Sequence, residues 1–251
     1  MITDPWFYLA AAPAMLIIGL SKSGFLAGIG VLCVPLMALV ISPVQAIGIM
    51  LPILVITDIL AVAKYWHLKD PQNYRILLVA AVIGTLAGWA TAAAVSDDLI
   101  RFLVGIVGLV FGIDYFVKLR PQGETPGASW TRGLFWGGLS TYTSFIVQAG
   151  GPMLIIYLMS QRLPNMTYAA TAVSFIATMN AMKVIPCFFL GQLTRENVLT
   201  GLVLLPLAFA SAGLGFWLVR RVPMKPFYDI GYGALIVVCL KLIWDSLSTL
   251  A

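Results

Sequence analysis

The sequence predicts an all-α polytopic membrane protein made of two inverted repeats, each a re-entrant or broken helical hairpin followed by three transmembrane helices. Three observations predict it. Of 251 residues, 61% are hydrophobic and 10% are charged, with a mean hydropathy of +0.97. A soluble domain carries about 25% charged residues, and here apolar runs long enough to cross a bilayer fill nearly the whole chain and leave no soluble domain. Two of those runs are too long for one crossing and are interrupted by glycine and small polar residues. The interruptions fall at matching places in the two halves, at an offset of about 120 residues.

The apolar segments are 6–43, 45–63, 73–95, 99–117, 132–160, 167–190, 196–219 and 227–247. Segment 6–43 is interrupted over 21–30. Its pieces would each extend only about 20–22 Å as helix, short of a hydrocarbon core of about 30 Å. Segment 132–160 is interrupted over 140–152. Each is either one unwound crossing, giving eight full spans in two parallel repeats, or a hairpin that enters, turns and leaves on the same side.

Loop charge favours the hairpins. They place Lys64, Lys69, Arg75, Lys118, Arg120, Arg132, Arg162, Arg220, Arg221 and Lys225 on one side, against Arg101 and Arg195 on the other. Eight full crossings give seven against five. Cytoplasmic loops concentrate Lys and Arg, so both termini are expected to be periplasmic. Each half then has an odd number of crossings, and the halves have opposite topology. The expected organisation is a first repeat over 1–120, a cytoplasmic linker over 121–131 and a second repeat over 132–251.

Several classes are disfavoured. The net charge of +5 resides in short loops, where it orients helices and does not signal nucleic acid. Cys33, Cys187 and Cys239 lie far apart in apolar segments and His67 is the single histidine, so neither a metal site nor a disulfide is expected. An intramembrane enzyme would need a nucleophile–base pair or metal ligands, and there is no GxxxxGK[ST] nucleotide motif; we expect no enzymatic activity and no cofactor. The start of the chain lacks the basic residues of a cleavable signal, so the first apolar run is expected to be retained.

Within the repeat, Gly19-Leu20 recurs as Gly138-Leu139, Phe25 falls on Phe145 and Gly30 on Gly150; Asp58 falls on Asn180 if the offset grows by two. Three groups of polar residues stand out at membrane depth. Ser21, Lys22, Ser23 and Gly24 occupy the first break. Thr141, Tyr142, Thr143, Ser144, Gln148, Gly150 and Gly151 occupy the second, where Pro152 suits a helix start. Asn180 and Lys183, at i and i+3, share one helix face. An ammonium in hydrocarbon costs several kcal/mol unless it is paired. Helix starts with unpaired N–H groups attract anions, and hydroxyls and the Gln148 amide donate to their oxygens. Two lysines at membrane depth, Lys22 and Lys183, therefore point to a small anion. Other readings stand beside this one. Lys22 and Asp58 could form a structural ion pair, Asp58 could carry a proton, and Lys183 could snorkel to the outer interface. Lys241 and Asp229 are read as snorkelling or locally paired.

The residues Gly19-Leu20-Ser21-Lys22-Ser23-Gly24-Phe25, Pro43, Ala46, Leu51-Pro52 and Asp58 resemble the first half of the sulfite exporter TauE/SafE family. Gly150-Gly151-Pro152, Tyr157-Leu158, Ala170-Thr171, Asn180, Lys183, Leu190-Gly191-Gln192-Leu193 and Pro206 resemble its second half. Many members have a richer glycine run than Gly28-Ile29-Gly30-Val31-Leu32. The resemblance implies a secondary transporter of the bacterial inner membrane that exports sulfite or an organosulfonate such as sulfoacetate; an importer or an anion channel is the alternative. Lys22 and Lys183 would attract the anion, and Ser21, Ser23, Gly24, Thr143, Gln148, Gly150 and Gly151 would orient it. Asn180 would support Lys183, and Asp58 would tune the charge or carry a proton. The expected partners are the anion and the lipid bilayer. An inside-negative potential favours anion exit by ~2.3 kcal/mol per charge per 100 mV, so proton coupling is compatible with export but not required. A homodimer is compatible with the sequence.

Overall fold

The structure is a computed structural model. It describes the chain apart from residues 1, 3, 23–28, 93, 95, 118–126, 220–223 and 251, and describes no side chains for 20–22, 29, 64, 212–219, 224–228, 230, 231, 249 and 250. The described residues form helices α1 (Pro5–Lys22), α2 (Cys33–Ala38), α3 (Pro43–Tyr65), α4 (Pro71–Ala92), α5 (Asp97–Val117), α6 (Trp130–Val147), α7 (Gly151–Met159), α8 (Asn165–Phe189), α9 (Arg195–Val219) and α10 (Met224–Leu250). Short 3₁₀ turns lead into α2 and follow α3. Among the described residues, α3, α4, α5 and α8 contain stretches long and apolar enough to cross a membrane. The fold is therefore that of an all-helical, multi-pass membrane protein.

Local signals set the helix ends. Asp70 precedes Pro71 and accepts the backbone N–H of Asn73 at 2.7 Å. Ser42 precedes Pro43 and accepts from Gln45 at 3.1 Å, and Thr194 accepts from Asn197 at 3.1 Å. Each side-chain oxygen satisfies a donor that the first helical turn leaves open. Past the end of α8, Gly191 takes φ +70°, a conformation that favours glycine.

Both interrupted segments fold back. In the first, the Cys33 thiol lies 3.3 Å from the carbonyl of Ala14, about two turns before the end of α1, so α2 runs back beside α1. In the second, the Tyr157 hydroxyl on α7 donates to Ser129 O, just before α6, at 3.4 Å. An unwound crossing would carry Tyr157 away from Ser129; a hairpin returns it. The second break is narrower than the expected 140–152, because α6 continues to Val147. Thr141 and Thr143 bond the carbonyls of Gly137 and Leu139 one turn back, so their hydroxyls are accommodated within the helix and do not end it.

The chain forms two compact units. Unit 1 comprises Met1–Ile53, Val95–Leu119 and Gly191–Ala251, and unit 2 comprises Leu54–Ala94 and Arg120–Leu190. Each takes segments from both sequence halves. In unit 1, α1 packs on α9 and α5 packs on α10. Ser211 on α9 donates to Met15 O on α1 at 2.9 Å. A Cβ at Gly108 of α5 would stand 2.4 Å from the Cys239 sulfur of α10, so that pair depends on a bare backbone.

In unit 2, α4 packs on α6 and on α8. Gly84 of α4 abuts Gly138 O and Thr141, where a Cβ would stand 2.6 Å from the carbonyl. Leu77, Leu154, Leu158, Phe175 and Met179 build the core of this unit. The two units share one pairing rule: the long arm of a hairpin packs against a helix of the other half. Under the repeat offset α1 corresponds to α6 and α9 to α4, so the weak sequence repeat returns as a repeat of packing.

Candidate functional site

The site is built in unit 2 from α3, α8 and the second hairpin. Lys183 on α8 is 1% exposed, which excludes snorkelling. A buried ammonium needs acceptors, and the last turn of α6 supplies the Ser144 carbonyl, which also accepts the Gln148 N–H at 3.2 Å. Lys183 Nζ donates to Ser144 O at 3.2 Å, to Ser144 Oγ at 2.9 Å and to Gln148 Oε1. Ser144 Oγ donates onward to Gln148 Oε1 at 3.3 Å.

Gln148 caps α6 in the left-handed region, with φ 57° and ψ 25°. This conformation turns the chain into the break. Because its side-chain oxygen receives both Lys183 and Ser144, the opposite amide orientation would set nitrogen against ammonium. Gln148 Nε2 is therefore held away from the ammonium, buried, with no hydrogen-bond partner among the described residues. Beyond it, Gly150 and Gly151 begin α7, and the first bond of that helix is Leu154 N–H to Gly150 O at 3.4 Å. Their N–H groups precede that bond. The break packs tightly on α6: Ser140 Oγ donates to Gly150 O at 2.7 Å, and a Cβ at Gly150 would stand 2.5 Å from Ser140 O.

Asn180, one turn before Lys183 on α8, donates from Nδ2 to Asp58 Oδ2 on α3 at 2.7 Å. Asn180 is 2% exposed and Asp58 3%. The structure thus joins Lys183 to Gln148, two residues before Gly150 and three before Gly151, and joins Asn180 to Asp58. Thr143 lines the break with its single O–H directed at the carbonyls of Leu139, Ser140 and Ala149. Ser21 and Lys22 end α1 without described side chains, and Ser23 and Gly24 lie outside the described residues. Ser144 belongs to the second-break group, but its role as the lysine's double acceptor was not assigned from sequence. Its spacing of four from Gln148 at a helix end was the available signal. Elsewhere, Lys241 pairs locally with Asp245 at 2.7 Å, whereas Asp229 on α10 accepts from the Tyr115 hydroxyl of α5 at 2.8 Å and is held by another helix. The three cysteines are buried thiols.

Helices of spanning length, two folded-back segments in matching positions and a buried lysine at a hairpin break define a class: polytopic membrane transporters. The chain matches the family described as Sulfite exporter TauE/SafE over residues 11–242 and belongs to that family. Membership implies membrane transport of sulfite-type sulfur anions and not enzymatic catalysis. No curated protein and no solved structure matches the chain.

Proposed function

We propose that this protein exports sulfite or a small organosulfonate such as sulfoacetate across the bacterial inner membrane as a secondary transporter. One observation carries the site: Gln148, whose Oε1 receives the buried Lys183 at a hairpin break, has a buried amide donor, Nε2, with no hydrogen-bond partner among the described residues. An oxyanion of sulfur offers several acceptor oxygens and a charge. The amide would take one oxygen, the Gly150 and Gly151 N–H groups a second, and Lys183 would supply the positive field. Thr143 shapes the break, Asn180 fixes the face of α8 through Asp58, and Asp58 tunes the local charge or carries a proton.

The inverted-repeat reading, with repeats at 1–120 and 132–251 and a linker between, draws support from the Asp58–Asn180 bond. These two residues are counterparts in the repeat, and they touch each other. Residues related by a two-fold axis that touch lie beside that axis, and transport sites form at such repeat interfaces. The sequence assigns Lys22 and its neighbours Ser21, Ser23 and Gly24 a parallel role at the first break.

The test is a thermal-shift and binding titration of purified protein against sulfite, sulfoacetate, taurine, sulfate and acetate, with Lys183→Ala alongside. Selective stabilisation by sulfite or a sulfonate, lost in the variant, supports the substrate class and the site. Indifference to all five with intact folding refutes the substrate assignment. Direction is read separately, from sulfite accumulation in cells lacking the protein. A cysteine replacing Ser42 labels from outside the cell if both termini are periplasmic.

A further inference from the structure

Unit 2 contains a second buried polar cluster that the transport reading does not use. Asn73, the third residue of α4, is 1% exposed. Its Nδ2 donates to Asp70 Oδ1 at 2.9 Å and to Gln161 Oε1 at 2.9 Å, while its Oδ1 accepts the Tyr157 hydroxyl at 2.7 Å. Gln161 Nε2 closes the ring by donating to Tyr157 O at 3.2 Å. Both amide hydrogens of Asn73 are used, and its oxygen is engaged. One side chain therefore ties the start of α4 to the end of α7 and to the turn that leads into α8.

Unit 1 holds a similar arrangement. Asn197, the third residue of α9, is 6% exposed. Its Nδ2 donates to Gln192 O at 2.8 Å, and its Oδ1 receives Gln45 Nε2 at 3.5 Å. The α3 backbone at Gly48 lies against the same carbonyl, where a Cβ would stand 2.2 Å away. Asp70 and Asn73 fall on Thr194 and Asn197 at an offset of about 124 residues, continuing the slow growth of the repeat offset. The partner glutamines sit near the starts of the counterpart helices α8 and α3.

Lys183 lies on α8 and Gln148 on the second hairpin. The chain joining them runs through α7 and the turn gripped by Asn73. We propose that Asn73 is a positioning residue for the anion site: it fixes the base of the second hairpin to the foot of α8, so that Gln148 and Lys183 keep their register. Asn197 is its counterpart in unit 1 and does not bear on that register. The inference rests on reading Lys183 and Gln148 as the anion site.

The experiment compares Asn73→Ala, Tyr157→Phe and Asn197→Ala in two readouts. In anion-free hydrogen exchange, Asn73→Ala speeds exchange over 158–163 and also over 144–151, at the break. Tyr157→Phe, which removes one hydroxyl, gives the same pattern at smaller amplitude and decides the matter if the alanine variant does not fold. In sulfite efflux from proteoliposomes, Asn73→Ala raises KM about tenfold, as expected when one donor of the site is misaligned. The maximal rate per folded protein stays within about twofold; a merely structural loss would lower the rate and leave KM. Asn197→Ala leaves KM within about twofold. Faster exchange confined to 158–163, or an equal rise in KM with Asn197→Ala, overturns the proposal. A wild-type protein that moves no sulfite sinks the substrate reading, and the anion-free exchange pattern then decides the positioning role by itself.

Discussion

Two lysines in long apolar helices, Lys183 of α8 and Lys241 of α10, solve the same problem differently. Lys241 is 59% exposed at its side chain and meets Asp245 one turn away at 2.7 Å. Its charge is answered within its own helix. Lys183 is 1% exposed and reaches across to another element, where it grips the end of α6 and the side chain of Gln148. A local i,i+4 pair anchors a helix and asks nothing of its surroundings. Lys183 instead fixes the orientation of a buried amide on another element, whose Nε2 has no hydrogen-bond partner among the described residues. The difference separates an exposed lysine answered within its own helix from a buried one answered by another element, although both are lone cations in hydrophobic sequence.

The sharpest way to break this contrast is to give Lys183 an acid of its own. Gln148→Glu places a carboxylate where the amide stands, turning the site into a version of the Lys241–Asp245 pair. Sulfite affinity should fall by about 100-fold or more while the melting temperature holds or rises, as read by titration and thermal shift together. Lys183→Ala should cost a similar factor of about 100, but with a lowered melting temperature, because Ser144 and Gln148 each lose a buried charged donor. Gln148→Ala removes a neutral donor and keeps the charge, so a loss of about tenfold in affinity is expected. Thr143→Val should change affinity by less than about threefold, since its hydroxyl proton is directed at helix carbonyls and is not offered to a ligand. Lys241→Ala should leave sulfite transport within about twofold, in keeping with the small worth of exposed pairs. If Lys241→Ala disabled binding as fully as Lys183→Ala, the contrast between the two lysines would collapse.

Much of this was legible from residue order. Composition and run length place the helices, because a bilayer demands about 20 apolar residues per helix and the chain supplies them. The loop arginines and lysines favoured hairpins, and the Tyr157–Ser129 bond bears out the fold-back of the second. Less legible was where the second break begins. Ser140, Thr141 and Thr143 read as helix-breaking polar residues, yet their hydroxyls turn onto nearby carbonyls and α6 runs on to Val147. Periodicity does not tell a hydroxyl that bonds its own backbone from one that faces a ligand. The pairing of Asn180 with Asp58 was also hidden. The sequence put each of them at membrane depth and aligned them as counterparts, but two aligned residues touch only near a symmetry axis, and one strand of letters carries no axis. Ser144 escaped for a related reason: half of its contribution to Lys183 is a backbone carbonyl, which every residue has.

The cross-pairing of helices bears on how the chain is made. The glycine face of α4 is shaped for α6, and α1 is shaped for α9, each drawn from the opposite half of the chain. At a synthesis rate of ~5–20 residues per second, α1 emerges on the order of 10 s or more before its partner exists. During that interval lipid, or a chaperone at the insertion site, must cover surfaces built for helix contact. A ribosome stalled after the first half would leave α1, α4 and α5 without their partners, with the glycine faces of α4 and α5 exposed, so neither half is expected to survive alone in the bilayer. Two separately expressed halves should accumulate only when both are present.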